Sequence, residues 1–128
     1  MDWDYLAGFF DGEGNLHINY IKNKTYQLFI RIYSSDERIL KEIQNFLKYG
    51  KIYEKMKTGV FELVISKKEY CRQVLESIKD KVILKRNQIA FLLDNFEFNK
   101  SNNLRFDLDK FRGFITRKNV VRKNHTLI

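Results

Sequence analysis

The chain has 128 residues, enough for one domain that buries about two thirds of its unfolded surface. With 44% hydrophobic and 15% aromatic residues it has material for a packed core, which excludes a disordered chain; no apolar run approaches the roughly 18 residues of a membrane span. A net charge of +8 and a pI near 9.6 favour a polyanionic partner, nucleic acid ahead of an anionic membrane surface.

The N-terminal MDWDYLAGFF starts acidic and lacks a basic lead-in, so it does not read as a secretory signal. Cys71 is the single cysteine, which excludes an internal disulfide and suits a reducing, intracellular setting. Organelle and prokaryotic or viral cytoplasm are not distinguished. Proline, Ser/Gly linkers and low-complexity tracts are absent, so residues 1–128 read as a single domain.

Trp3 to Asp11 has helical spacing, with Trp3, Leu6 and Phe10 on one face and Ala7, Gly8 and Asp11 towards the other. Gly12 and Gly14 suit the end of that helix, where glycine accepts a positive φ. Asn15 to Lys22 alternates: Leu16, Ile18 and Tyr20 on one side, Asn15, His17 and Asn19 on the other. After KNK a second run puts Leu28, Ile30 and Ile32 against Gln27, Phe29, Arg31 and Tyr33, which predicts a hairpin. Ser34, Ser35 and Asp36 can cap a helix carrying Ile39, Leu40, Ile43, Phe46 and Leu47 and closed by Gly50. A second hairpin spans Lys51 to Lys57 and Val60 to Ile65, turning at Thr58-Gly59. Helices follow at about Lys67 to Ser77 and Arg86 to Asn95. Cys71, at core spacing with Val74, Leu75 and Ile78, reads as a small core hydrophobe. Leu104, Leu108, Phe111 and Ile115 suggest a short C-terminal amphipathic helix before the basic RKNVVRKNH.

The order α-β-β-α-β-β-α predicts an α+β fold, one antiparallel sheet backed by helices. Its uncovered face would carry Asn15, His17, Asn19, Gln27, Phe29, Arg31, Tyr33, Lys51, Tyr53, Lys55, Lys57 and Glu62. Asn, Gln, Arg and Lys read base edges and phosphates, and the lone carboxylate, Glu62, is outnumbered by cations. An ordinary solvated face is the alternative.

Asp11 and Glu13 alternate with glycines at a helix C-terminus, whose partial negative charge disfavours acids. A cation would resolve this, and Glu13, just past the helix end, is placed to ligate a hard divalent ion. Gly8 and Gly12, four apart beside Ala7, would let another backbone approach closely. If that backbone is a second copy, a two-fold axis brings two Glu13 carboxylates together; an intramolecular contact with an incidental acidic turn is the other reading.

LAGFFDGEG, Leu6 to Gly14, resembles the signature of the LAGLIDADG homing endonucleases, whose αββαββα fold agrees with the order above. The resemblance covers roughly Leu6 to Leu93. It implies a site-specific double-strand DNA endonuclease of intron homing, a homodimer because the motif occurs once, cutting a long pseudo-palindromic target with 3′ overhangs. The implied cofactor is Mg²⁺, for which Mn²⁺ can substitute, held by Glu13 and the carbonyl of Gly12. Asp11 would support the helix end, and Ala7, Gly8, Asp11 and Gly12 would form the dimer interface. Within LKRNQ, Leu84 to Gln88, Lys85 stands where the family has a catalytic lysine, with Arg86 beside it as a DNA contact; a solvated loop binding backbone phosphate is the competing reading. The glutamine that many relatives carry near the end of the second strand has no counterpart, since Tyr33, Ser34 and Ser35 occupy that region. Two rival functions keep the fold: an intron maturase that binds its own intron RNA without cutting, and a DNA-binding regulator with an inactive motif.

Overall fold

A computed structural model describes residues 1–21 and 25–96. Its elements are α1 (Trp3–Glu13), β1 (Gly14–Ile21), β2 (Thr25–Ser34), α2 (Glu37–Leu47), β3 (Lys51–Glu54), β4 (Phe61–Ile65), α3 (Lys68–Ile78) and α4 (Arg86–Asp94). The four strands form one antiparallel sheet in the order β1-β2-β4-β3. The predicted C-terminal helix and basic tail lie outside the described residues, as does the KNK turn.

Local chemistry accounts for the boundaries. Asp2 caps α1, its carboxylate accepting from the Tyr5 N–H at 2.8 Å. Asp36 caps α2 through the Arg38 N–H at 2.9 Å, and Ser34 Oγ accepts from the Asp36 N–H at 3.0 Å. The left-handed residue that ends α2 is Lys48, at φ 70°, rather than Gly50. The β3–β4 turn closes as expected at Thr58-Gly59: Thr58 Oγ1 donates to the Lys55 carbonyl at 2.6 Å and Gly59 takes φ 76°. The ladder ends earlier than expected, because Met56 and Lys57 adopt positive φ and cannot continue a strand.

At the end of α1 the helix runs two residues further than the periodicity suggests. Gly12 and Glu13 are helical, and Gly14 is extended at φ −94°, so neither glycine serves for left-handed backbone. Gly14 serves for space. A Cβ there would strike the Phe10 ring and sit 2.6 Å from the Phe10 carbonyl oxygen. Absence of a side chain lets β1 leave directly over the last turn of α1.

One face of the sheet is dry. Leu16, Ile18, Leu28, Ile30, Ile32, Leu63 and Ile65 are buried against Leu6 and Phe10 of α1, Leu40 and Ile43 of α2, and Val74 and Leu75 of α3. Each such aliphatic side chain contributes about 1.5–3 kcal/mol of transfer free energy. Trp3 packs edge-on against Phe46, with ring centroids 4.9 Å apart, and joins α1 to α2. Cys71 is a core residue as predicted: its Sγ donates to the Ile65 carbonyl at 3.3 Å, and burial pushes the thiol up to about 12, so it stays protonated.

Candidate metal centre and nucleic-acid interface

The C-terminal end of α1 meets the segment that precedes α4. The Asp11 carboxylate, 9% exposed, accepts three backbone N–H bonds from the segment before α4: Ile83 at 2.7 Å, Leu84 at 2.8 Å and Lys85 at 2.8 Å. In return Lys85 Nζ donates to the Asp11 carbonyl at 2.7 Å. The clamp is reciprocal. It also answers the electrostatic difficulty of an acid at this helix end. The carboxylate of Asp11 reaches the N-terminus of α4, where exposed N–H groups and the positive helix pole favour an anion. Lys85, with no side-chain cap of its own at that terminus, meanwhile places a cation on an orphan carbonyl of α1.

Burial pushes the Asp11 carboxyl up, but its three N–H donors and the nearby Lys85 charge outweigh that, and the net effect holds it below its ordinary range. Lys85 is only 5% exposed and lies 5.7 Å over the Phe10 ring, so the solvated-loop reading of this lysine does not hold. Farther along α1, Lys81 Nζ pairs with Asp4 at 2.5 Å, an exposed contact of small energetic weight.

Beyond the clamp, Glu13 ends α1 as an exposed carboxylate with no hydrogen bond or ion pair among the described residues. The Gly12 carbonyl belongs to the last turn, whose oxygens lack helical partners. These are two hard oxygen donors side by side, chemistry that suits Mg²⁺. Among the described residues no group of three or more His, Cys, Asp or Glu side chains gathers to hold a metal. Two oxygen donors are fewer than the six of an octahedral shell, so any ion held here would take its other ligands from outside this pair.

The α1 surface divides differently from the expectation. Ala7 is buried in the core and Asp11 is engaged in the clamp, so neither lies on an open helix face. Gly8 and Gly12 do: a Cβ at either would have nothing within 4 Å. Tyr5, 51% exposed and stacked on Phe9, lies one turn before Gly8, and the exposed loop residues Ile83 (76%) and Leu84 (63%) are held at Asp11. Reading by spacing missed Ile83 and Leu84. Their signal is an apolar run of three, VIL at 82–84, leading into the lysine segment, of which Val82 is buried and the other two are not.

The second sheet face is polar and cationic. Register aligns its side chains in rows across the strands. Asn15 pairs with Arg31, Arg31 with Val64 and Val64 with Lys51; Tyr33, Glu62 and Tyr53 form the next row. His17 pairs with Phe29 and Asn19 with Gln27 farther along. The Arg31 guanidinium lies 5.6 Å over the Phe29 ring, and its Nε is buried without a hydrogen-bond partner among the described residues. His17 Nε2 and Asn19 Oδ1 are 3.1 Å apart. Lys55 and Lys57 stand in the turn past β3, not on the strand, although Lys55 Nζ still reaches 5.5 Å over the Tyr33 ring. Arg86, at the start of α4 rather than on the sheet, donates from Nε to the Val82 carbonyl at 3.1 Å.

The family model for the LAGLIDADG endonucleases matches residues 6–108. The chain belongs to the LAGLIDADG endonuclease family. Solved structures share the LAGLIDADG fold at low identity. I-CvuI in complex with the I-CreI target, in 2 mM Mg with the DNA not cleaved, aligns with a TM-score of 0.64 and 22% identity, covering 74% of this chain and 65% of that one. The meganuclease I-AabMI bound to uncleaved DNA gives 0.66 and 25%, covering 80% and 38%. The archaeal intron-encoded I-Vdi141I complexed with DNA gives 0.62 and 18%, covering 73% and 65%. This LAGLIDADG chain therefore spans just under two thirds of I-CvuI and well under half of I-AabMI. No curated protein matches the chain.

Proposed function

We propose that this LAGLIDADG chain is a site-specific homing endonuclease that acts as a symmetric dimer on double-stranded DNA, each protomer hydrolysing one phosphodiester with Mg²⁺. The observation that carries this reading is the clamp, which holds Lys85 against the helix end that presents Glu13. Neither a maturase nor a regulator needs a lysine buried beside a free carboxylate. Glu13 and the Gly12 carbonyl would hold the ion, which when bound supplies Lewis acidity at the phosphate and a more acidic water. Lys85 contributes a fixed positive charge where negative charge builds on the phosphate. The cationic sheet face holds the duplex and reads it, and the Arg31 guanidinium, placed over Phe29, is the candidate donor to a base edge.

The test is to expose a plasmid library with a randomised insert to the purified chain in Mg²⁺ and in EDTA. Cutting at one recurrent sequence, in Mg²⁺ only, is expected; DNA binding with no cleavage in Mg²⁺ or Mn²⁺ would sink the proposal.

Three variants refine it. Lys85→Met keeps the aliphatic volume and removes the charge, so DNA affinity stays within a few-fold while the single-turnover rate falls about 10²-fold. A mere phosphate contact would give the reverse, weaker binding with a normal rate at saturation. Arg31→Ala relaxes discrimination at one position per half-site by roughly 1–3 kcal/mol, read from the cleavage profile on randomised sites.

Gly8→Leu separates monomer from dimer. Open space at Gly8 means that leucine fits within one protomer and raises helix stability by about 0.5–1 kcal/mol. Across a close two-fold contact the same side chain overpacks and costs about 1–3 kcal/mol. Sedimentation should then show a monomer with an undiminished melting temperature. The exposed Tyr5, one turn before Gly8, and Ile83 and Leu84, held at Asp11, supply the apolar surface such a contact requires. An intact, active dimer would place the interface elsewhere.

A further inference from the structure

Beside the outer edge of the cationic sheet face lies a cavity of about 420 Å³, opening between β3, β4 and the start of α3. Phe29, Tyr53 and Tyr70 bring aromatic rings to its lining, Lys51 and Lys67 bring cations, and Ser66 a hydroxyl; no carboxylate lines it among the described residues. Tyr70 is held in place: its ring stacks on Tyr49 at 4.0 Å and 5°, Tyr49 Oη donates to the Tyr70 carbonyl at 3.3 Å, and Lys67 Nζ sits 5.5 Å over the Tyr70 ring. Such rigidity means that little ordering entropy is lost when a ligand enters.

We propose that this cavity receives a single unstacked nucleotide of the bound DNA, its base among the aromatic rings and its phosphate on Lys51 and Lys67. The inference rests on the sheet face being the DNA contact. A paired base shows a groove only its edge, which a shallow polar surface reads; a base out of the stack shows its faces, which aromatic rings accept. The volume is in the range of small-molecule pockets, far more than a thymine methyl group requires. The two lysines, with no carboxylate beside them among the described residues, match a phosphate and favour an anionic aromatic ligand over an uncharged one.

Three labelled duplexes of one sequence test it: fully paired, with one extrahelical thymidine, and with an abasic residue at the same bulge. The wild-type chain should bind the thymidine bulge about tenfold more tightly than the abasic one. Thymidine 5′-monophosphate in excess should erase that difference, and deoxyribose 5-phosphate should not. Tyr70→Leu should bring the ratio close to one; if that variant does not fold, Lys67→Ala should reduce it several-fold. Equal binding of the two bulges by the wild-type chain, with the paired duplex still bound, overturns the pocket and leaves the sheet interface standing. Failure to bind any duplex overturns both.

Discussion

Glu13→Gln should abolish Mg²⁺-dependent cleavage while leaving duplex affinity, measured in Ca²⁺, within a few-fold of wild type. The substitution keeps shape and one carbonyl oxygen but removes the negative charge on which a hard divalent ion depends. Glu13 is exposed and makes no hydrogen bond or ion pair among the described residues, so the melting temperature should not move. Metal assistance is worth several kcal/mol at a phosphoryl transition state, so the single-turnover rate falls about 10³-fold or more. A variant that cuts normally would remove Glu13 from the metal site, while one that cuts slowly and melts early would assign it a structural role.

Asp11→Ala has the largest effect on stability, about 3–5 kcal/mol, because one carboxylate holds three N–H donors and its charge faces the buried Lys85 ammonium. Truncation leaves the N-terminus of α4 uncapped and lets the loop from Ile83 to Lys85 move off α1. Asp11→Asn retains an acceptor and costs less. Because the folded-state carboxyl lies below its ordinary value of 3.8, its contribution is fully present above that value and is lost as pH falls through the folded one. Denaturant unfolding from pH 7 down to 3 should therefore show a steeper acid loss in wild type than in Asp11→Asn. Asp36, drawn down to about 2 by Arg38, adds an acid-sensitive contribution common to both proteins, and the difference between the curves isolates Asp11. Parallel acid limbs would contradict the clamp's electrostatics.

Reading along the chain was most informative where a side chain's fate depends on its neighbours two, three or four residues away. Alternation in LHINY and QLFIRIY assigned Leu16, Ile18, Leu28, Ile30 and Ile32 to one face, and they are the buried ones. Helical spacing likewise found Leu6, Phe10, Leu40, Ile43, Val74 and Leu75. Spacing was least reliable at ends. Glu13 was placed just past a helix that contains it, and Lys55 and Lys57 were placed on a strand that ends at Glu54. Termination depends on the Phe10 ring above Gly14 and on the positive φ of Met56, and both are set by packing.

Charge and periodicity act locally, so the fold class, the polar sheet face and the motif with its acids were legible along the chain. Tertiary structure alone decided what the motif's other residues do. Ala7, seemingly on the glycine face, turns into the core, because α3 and the sheet enclose more of α1 than Trp3, Leu6 and Phe10 mark out. Asp11 and Lys85 lie 74 positions apart, and nothing local pairs them. Only the return of the α3–α4 connection past the end of α1 brings an orphaned set of N–H groups to a carboxylate and an ammonium to an orphaned carbonyl. Each of those groups would be costly to bury alone, and together they satisfy one another.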